Sequence, residues 1–352
     1  MNTLEYQDQA LNVEQVERNK DKLDLKPNLD FVSRHQERFE EGLDAILKRA
    51  PTQEAREWVK RIEFSGTEDI VEPQVSPEDV REILSRMPEA LIELSDLETV
   101  NYHLFGLGKH LLPIPGYDAQ GNLDQSSVAA VEVKNFPRKK SKQCMTYRWR
   151  KDSSNKWKFT GENEVTEEDD HPSRLLVGVS NGKIIYPTPI PKSVSKDERA
   201  IFIYQIHVLL HEFFHTIDYL RRDPKIRANI VLGVDGQRFT FQDWWKDFEE
   251  LILSKEEPAC VSSYANTYAN DLNRETAEKE YQKFTNALAE QVCESFVAYE
   301  LGIISNDDRW TDFKSESFGN TAQKTKFQQN QATSANLKWF LMDKLCRAKV
   351  VK

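Results

Sequence analysis

Residues 201 to 220 constrain this chain more than any other stretch. Ile201, Phe202, Ile206, Val208, Leu209, Leu210, Phe213, Phe214, Ile217 and Leu220 fall within it, too many apolar side chains for a helix with a solvent face. The spacing predicts a long central helix. Ser195 and Glu198 open it, standing three apart as in a capping box, and Pro224 stops it. The same run holds His211-Glu212-Phe213-Phe214-His215. Histidines four apart lie one above the other on a helix face, close enough to share a metal ion, and the glutamate after the first points to the same place. Polar groups buried there without partners cost about 1–3 kcal/mol each, and a metal ion removes that cost. With 7 His among 352 residues, such a match arises by chance about once in a hundred chains.

The rest of the chain is organised around this run. Residues 1–28 form a polar tail, rich in Gln, Asn, Glu and Lys, that is not expected to hold a fixed structure. Residues 29–72 form a helical extension. Phe31, Phe39, Leu43, Ile46 and Leu47 recur at helical spacing, and a second short helix carries Trp58 and Ile62. After a break at Pro73 and Pro77, the remainder to residue 352 reads as one larger domain. It begins as helix, turn, short helix and a strand-like run from Leu97 to Phe105. Residues Ser127 to Lys134 alternate as a strand. Cys144–Arg150 and Lys156–Thr160 read as a hairpin, and Leu175–Ser180 and Lys183–Tyr186 flank Asn181-Gly182, a type I′ turn signal. Beyond the central helix only helices are expected: Thr240–Leu253 with Trp244 and Trp245, Asn286–Leu301 ended by Gly302, and Asn336–Arg347. Strands first and helices afterwards give an α+β fold, an antiparallel or mixed sheet packed on the histidine helix and followed by a helical subdomain.

Two histidines do not complete a catalytic zinc site, which takes three protein ligands and keeps one position open. No third histidine follows closely, so a carboxylate from a later helix is expected. Glu290 and Glu294 share one face at i,i+4, and Glu300 is a third candidate off that face. His207 stands four before His211, as a core hydrogen-bonding group or a partner of the metal site, and Asp218 stands three after His215.

Three segments in order, His211 to Asp218 (HEFFHTID), Val261 to Ala265 (VSSYA) and Ala289 to Phe296 (AEQVCESF), resemble the anthrax lethal factor-like gluzincins, the broad group that includes the Pro-Pro endopeptidases. The likeness spans roughly Leu175 to Gly302. It implies a zincin-like domain over residues 73–352 that works as a zinc metallopeptidase. By the resemblance His211, His215 and Glu290 bind Zn2+, Glu212 is the general base, and Glu294, with Asp218 as a further candidate, orients a ligating histidine. The family also places an oxyanion-donating tyrosine about two helical turns before the ligand glutamate. Here the pattern departs, because Tyr264 lies 26 positions before Glu290. Its Ser-Ser-Tyr-Ala setting selects Tyr264, with Tyr268 and Tyr281 as alternatives, and Asn266–Phe284 reads as an insertion.

Charge narrows the partners. Lys and Arg number 48 against 58 Asp and Glu, a formal net charge of -10, which argues against general binding to nucleic acid or an anionic membrane. The basic run Arg138–Lys142 reads as a solvated loop. A peptide or protein substrate is the partner that the metallopeptidase resemblance implies. The four cysteines, Cys144, Cys260, Cys293 and Cys346, form no CxxC pair and suit a reducing compartment. With no apolar signal core near Met1, the expected location is the cytoplasm, or export by a route without a Sec-type signal.

Overall fold

The computed structural model describes residues 32–33, 35–66, 74–103, 114–117, 123–134, 142–154, 156–167, 178–180, 183–187, 190, 196–221, 224–254, 261–262, 265, 268–304 and 336–351. The expectations for the polar tail, for Ser195, for Arg138–Ser141 and for Tyr264 lie outside these residues.

In chain order the described elements begin with helices α1 (Gln36–Lys48) and α2 (Gln53–Lys60) and strand β1 (Glu63–Ser65). Helices α3 (Pro77–Leu84) and α4 (Glu89–Leu94) lead to β2 (Thr99–His103). Then come β3 (Ile114–Tyr117), β4 (Leu123–Lys134), β5 (Lys142–Lys151), β6 (Trp157–Glu167), β7 (Gly178–Ser180) and β8 (Lys183–Pro187). Helix α5 (Glu198–Arg221) carries the histidines. It is followed by α6 (Pro224–Asn229), β9 (Val231–Val234), β10 (Gln237–Thr240), α7 (Phe241–Leu253), a 3-10 turn at Ala269–Asp271, α8 (Arg274–Lys279) and α9 (Tyr281–Glu300). A last helix, α10, covers 336–346 and leads to β11 (Lys349–Val350). The class is α+β. No helix among the described residues is long and apolar enough to cross a membrane.

The sheet beside α5 has the order β1-β2-β8-β7. It is mixed rather than purely antiparallel: β1, β2 and β8 run parallel, and only β7 runs against β8, closing at Ser180 and Lys183 as the Asn-Gly signal predicts. Parallel neighbours require crossover connections. Here α3 and α4 connect β1 to β2, and the separate antiparallel meander β3-β4-β5-β6 intervenes between β2 and the β7–β8 hairpin. Strands β7 and β8 pack on α5. The Tyr186 hydroxyl donates to the Gln205 carbonyl, tying β8 to α5 at 2.9 Å.

Strands also follow α5, where only helices are expected from the sequence. β9 and β10 form a hairpin, and β11 adds to its other edge. Asp235 and Gly236 both take positive φ, 50° and 79°, the conformation a type I′ turn demands. The Asp-Gly pair was the available signal.

Apart from the stripe of His207, His211 and His215, the described side chains of α5 are largely apolar, and they join an apolar core cluster that also takes in Phe39, Trp58, Trp244 and Phe296. At the helix start the described capping group is Asp197. The Asp197 carboxylate accepts from the Ala200 N–H at 2.9 Å and from the Ser33 hydroxyl at 2.6 Å, so Asp197 satisfies the third orphan donor of the helix. Pro224 opens α6 rather than closing α5, as suits a residue whose missing N–H has no intrahelical use at a helix start. Helices α1 and α2 lie against this core: Trp58 meets Phe213 edge-on with ring centroids 6.0 Å apart, and α1 packs on both α5 and α9. At the far end, Gly302 takes φ 65°. The Ile303 N–H reaches back to the Ala298 carbonyl and the Gly302 N–H to Tyr299, a Schellman stop for α9.

Candidate metal centre

Two buried helices build the site. On α5 the positions 207, 211 and 215 repeat every four residues and so align on one face. On α9, Glu290 and Glu294 do the same, and the two helices pack together, with Phe214 and Phe296 in ring contact at 4.9 Å.

The ring nitrogens Nε2 of His211 and His215 lie 3.1 Å apart. Glu290 Oε2 lies 3.2 Å from the first and 3.5 Å from the second. Three donor atoms thus form a nearly equilateral triangle. Zinc bonds of about 2.0–2.2 Å to imidazole nitrogen and carboxylate oxygen, at tetrahedral angles, set neighbouring ligand atoms about 3.3–3.5 Å apart. The observed triangle fits one shared cation.

The orientation of the His211 ring points the same way. Its Nδ1 meets Glu294 Oε1 at 2.7 Å, which leaves Nε2 as the nitrogen turned toward His215 and Glu290. Carboxylate–imidazole pairing of this kind fixes ring orientation and raises ligand basicity. The same Glu294 oxygen also meets His207 Nε2 at 3.1 Å. His207 is therefore held to the carboxylate that holds His211.

Electrostatically the pocket demands positive charge. Burial works against the charged form of His211, yet the carboxylates of Glu290, Glu294 and Glu212 together lift its pKa well above the ordinary value. Glu294 is the complement. Burial alone would raise it, but His207 and His211 hold its carboxyl far below the usual carboxylate range.

Glu212 is buried, with Oε1 4.0 Å from His211 Nε2, beside the triangle rather than in it. Glu290 is the more open carboxylate, 17% exposed, whereas Glu294 is buried. Glu300 is not at the site. Its carboxylate pairs with Arg49, the residue that caps the end of α1. The backbone of Asp218 lies in the last turn of α5. Of the tyrosine alternatives, Tyr281 is 52% exposed and Tyr268 packs against the core. Ala265, the sequence neighbour of Tyr264, is fastened to α9, where the Gln291 side-chain amide donates to its carbonyl at 2.7 Å. Gln291 also accepts from the buried Lys338 of α10.

One neighbour of the site was not read as such from the sequence. Cys293 is buried, and its sulfur and one nitrogen each of His211 and His215 lie within 4.8 Å of one another. The signal was present, since position 293 follows Glu290 by three and shares its face, but a lone cysteine in an apolar helix reads as packing. Glu290 sets an oxygen 3.2 and 3.5 Å from the two Nε2 atoms, and Cys293 adds a sulfur donor to the same pair of histidines.

Compared with protein-family models, curated proteins and solved structures, the chain matches none.

Proposed function

We propose that this chain is a zinc-dependent endopeptidase of gluzincin type, of the anthrax lethal factor-like group that its three motifs resemble, with a zincin-like catalytic domain. The triangle of His211, His215 and Glu290 carries the reading, because its edges suit one zinc ion and its donors are those of a catalytic site with three protein ligands. When bound, zinc supplies Lewis-acid polarisation of the attacking water and of the scissile carbonyl.

The remaining chemistry belongs to the side chains. Glu212 takes the proton of the attacking water and passes it to the leaving amine. Glu294 keeps His211 in the tautomer that presents Nε2, and His207 steadies Glu294. Tyr264 is proposed as the hydroxyl donor to the carbonyl oxygen as negative charge develops there. The bond between Gln291 and Ala265, one residue along, supports its selection. Among the described residues, strand β7 is the outer strand of its sheet, and it packs on α5. An extended peptide pairing with that edge would run beside the site, its backbone groups satisfied by the strand.

The test is Glu212→Gln, assayed with wild type on a peptide library after zinc loading. The variant is expected to keep its zinc and lose cleavage on the order of 10²–10⁴-fold. Unchanged turnover would contradict the assignment of Glu212. A zinc-loaded wild type that cleaves nothing but retains peptides would instead favour a catalytically inactive zincin-like fold acting as a protein-binding module.

A further inference from the structure

The two histidines of the site belong to two overlapping donor sets, one completed by Glu290 and the other by Cys293. We propose, resting on the zinc-site reading above, that the Cys293 thiolate is a fourth ligand to the same ion in the substrate-free protein. The resting centre is then closed by four protein donors rather than left open.

Three observations carry this. The Cys293 sulfur and a nitrogen of each histidine all fall within 4.8 Å of one another. Zinc–sulfur bonds of about 2.3 Å and zinc–nitrogen bonds of about 2.0–2.1 Å place such atoms about 3.6 Å apart, so an approach of no more than about 1.2 Å brings the sulfur to that separation. Cys293 is a thiol rather than half of a disulfide. It is also buried where Glu290 is partly open, so the sulfur reaches the ion from the interior and leaves the Glu290 side as the face open to substrate. On coordination the S–H proton passes to water and a sulfur lone pair binds the ion, with no change of oxidation state.

Four protein ligands make a closed centre of the structural kind, whereas catalysis needs an open position. The site then opens when a water molecule replaces the Cys293 sulfur on the ion and the released thiolate takes a proton back from solvent.

The experiment is zinc-edge X-ray absorption on the full-length, zinc-loaded, substrate-free chain beside Cys293→Ala and Cys293→Ser. Wild type is expected to show a sulfur scatterer at about 2.3 Å. Both variants should still hold zinc and lack that scatterer. Zinc held by nitrogen and oxygen alone in wild type would overturn the sulfur ligand and leave the zinc site standing. A sulfur scatterer that persists in Cys293→Ala would overturn it as well, by assigning the sulfur elsewhere. No zinc at all in wild type would overturn both. If neither variant folds, the wild-type spectrum, together with thiolate-to-cobalt absorption in cobalt-loaded protein, decides between sulfur present and sulfur absent.

Discussion

Glu294 shows how much one carboxylate can organise. Its Oε1 serves both His207 and His211, so it sets the ring orientation of a proposed ligand without contributing a ligand atom. Replacing such a partner typically costs 10–100-fold in metal affinity. Glu294→Gln is therefore expected to weaken zinc binding by about that factor, measured by competition with a chelator of known affinity, while His211→Ala abolishes it. Equal affinity in Glu294→Gln and wild type would contradict the role. The four residues at the heart of the site were legible because helical periodicity turns a spacing of four into a shared face. His207 was legible only as an alternative, since the same spacing serves a core histidine equally well. Cys293 was obscured for the opposite reason: its apolar neighbours are sufficient to explain it.

Among the elements, α5, α7 and α9 could be read from their apolar patterns, and the Thr240–Asp243 capping box marks the start of α7. The parallel pairing of β1, β2 and β8 was not readable. Local alternation reports which face of a strand is buried, not which distant strand lies beside it. Helix contacts leave the same gap. On α1, Gly42 is a poor helix former inside a helix, yet a Cβ there would collide with the Leu301 backbone at the end of α9. The small residue lets the two helices meet. Gly42→Ala should force α1 away and destabilise by about 1–3 kcal/mol despite the better helix propensity of alanine. Urea unfolding measures this, and a stabilised variant would contradict the close approach.

At the scale of the molecule, the α1–α9 contact also holds a buried charge. Burial pushes the Glu300 carboxyl above its ordinary value, more than the Arg49 guanidinium and a hydrogen bond from Cys346 draw it down. A raised carboxyl binds its proton more readily in the folded chain. Its contribution is thus most favourable at or below the ordinary value of about 4.3 and is lost as pH rises through the folded value. Glu300→Gln is expected to flatten the fall in stability across that window, read from unfolding curves at several pH values, and an unchanged slope would contradict it. The claim on which the account rests is that α5 and α9 together hold one zinc ion. It is tested most directly by metal analysis of the zinc-loaded chain beside His211→Ala and Glu290→Ala. One zinc per chain, lost in both variants, is the expected result; a folded, zinc-loaded wild type that holds none would contradict it.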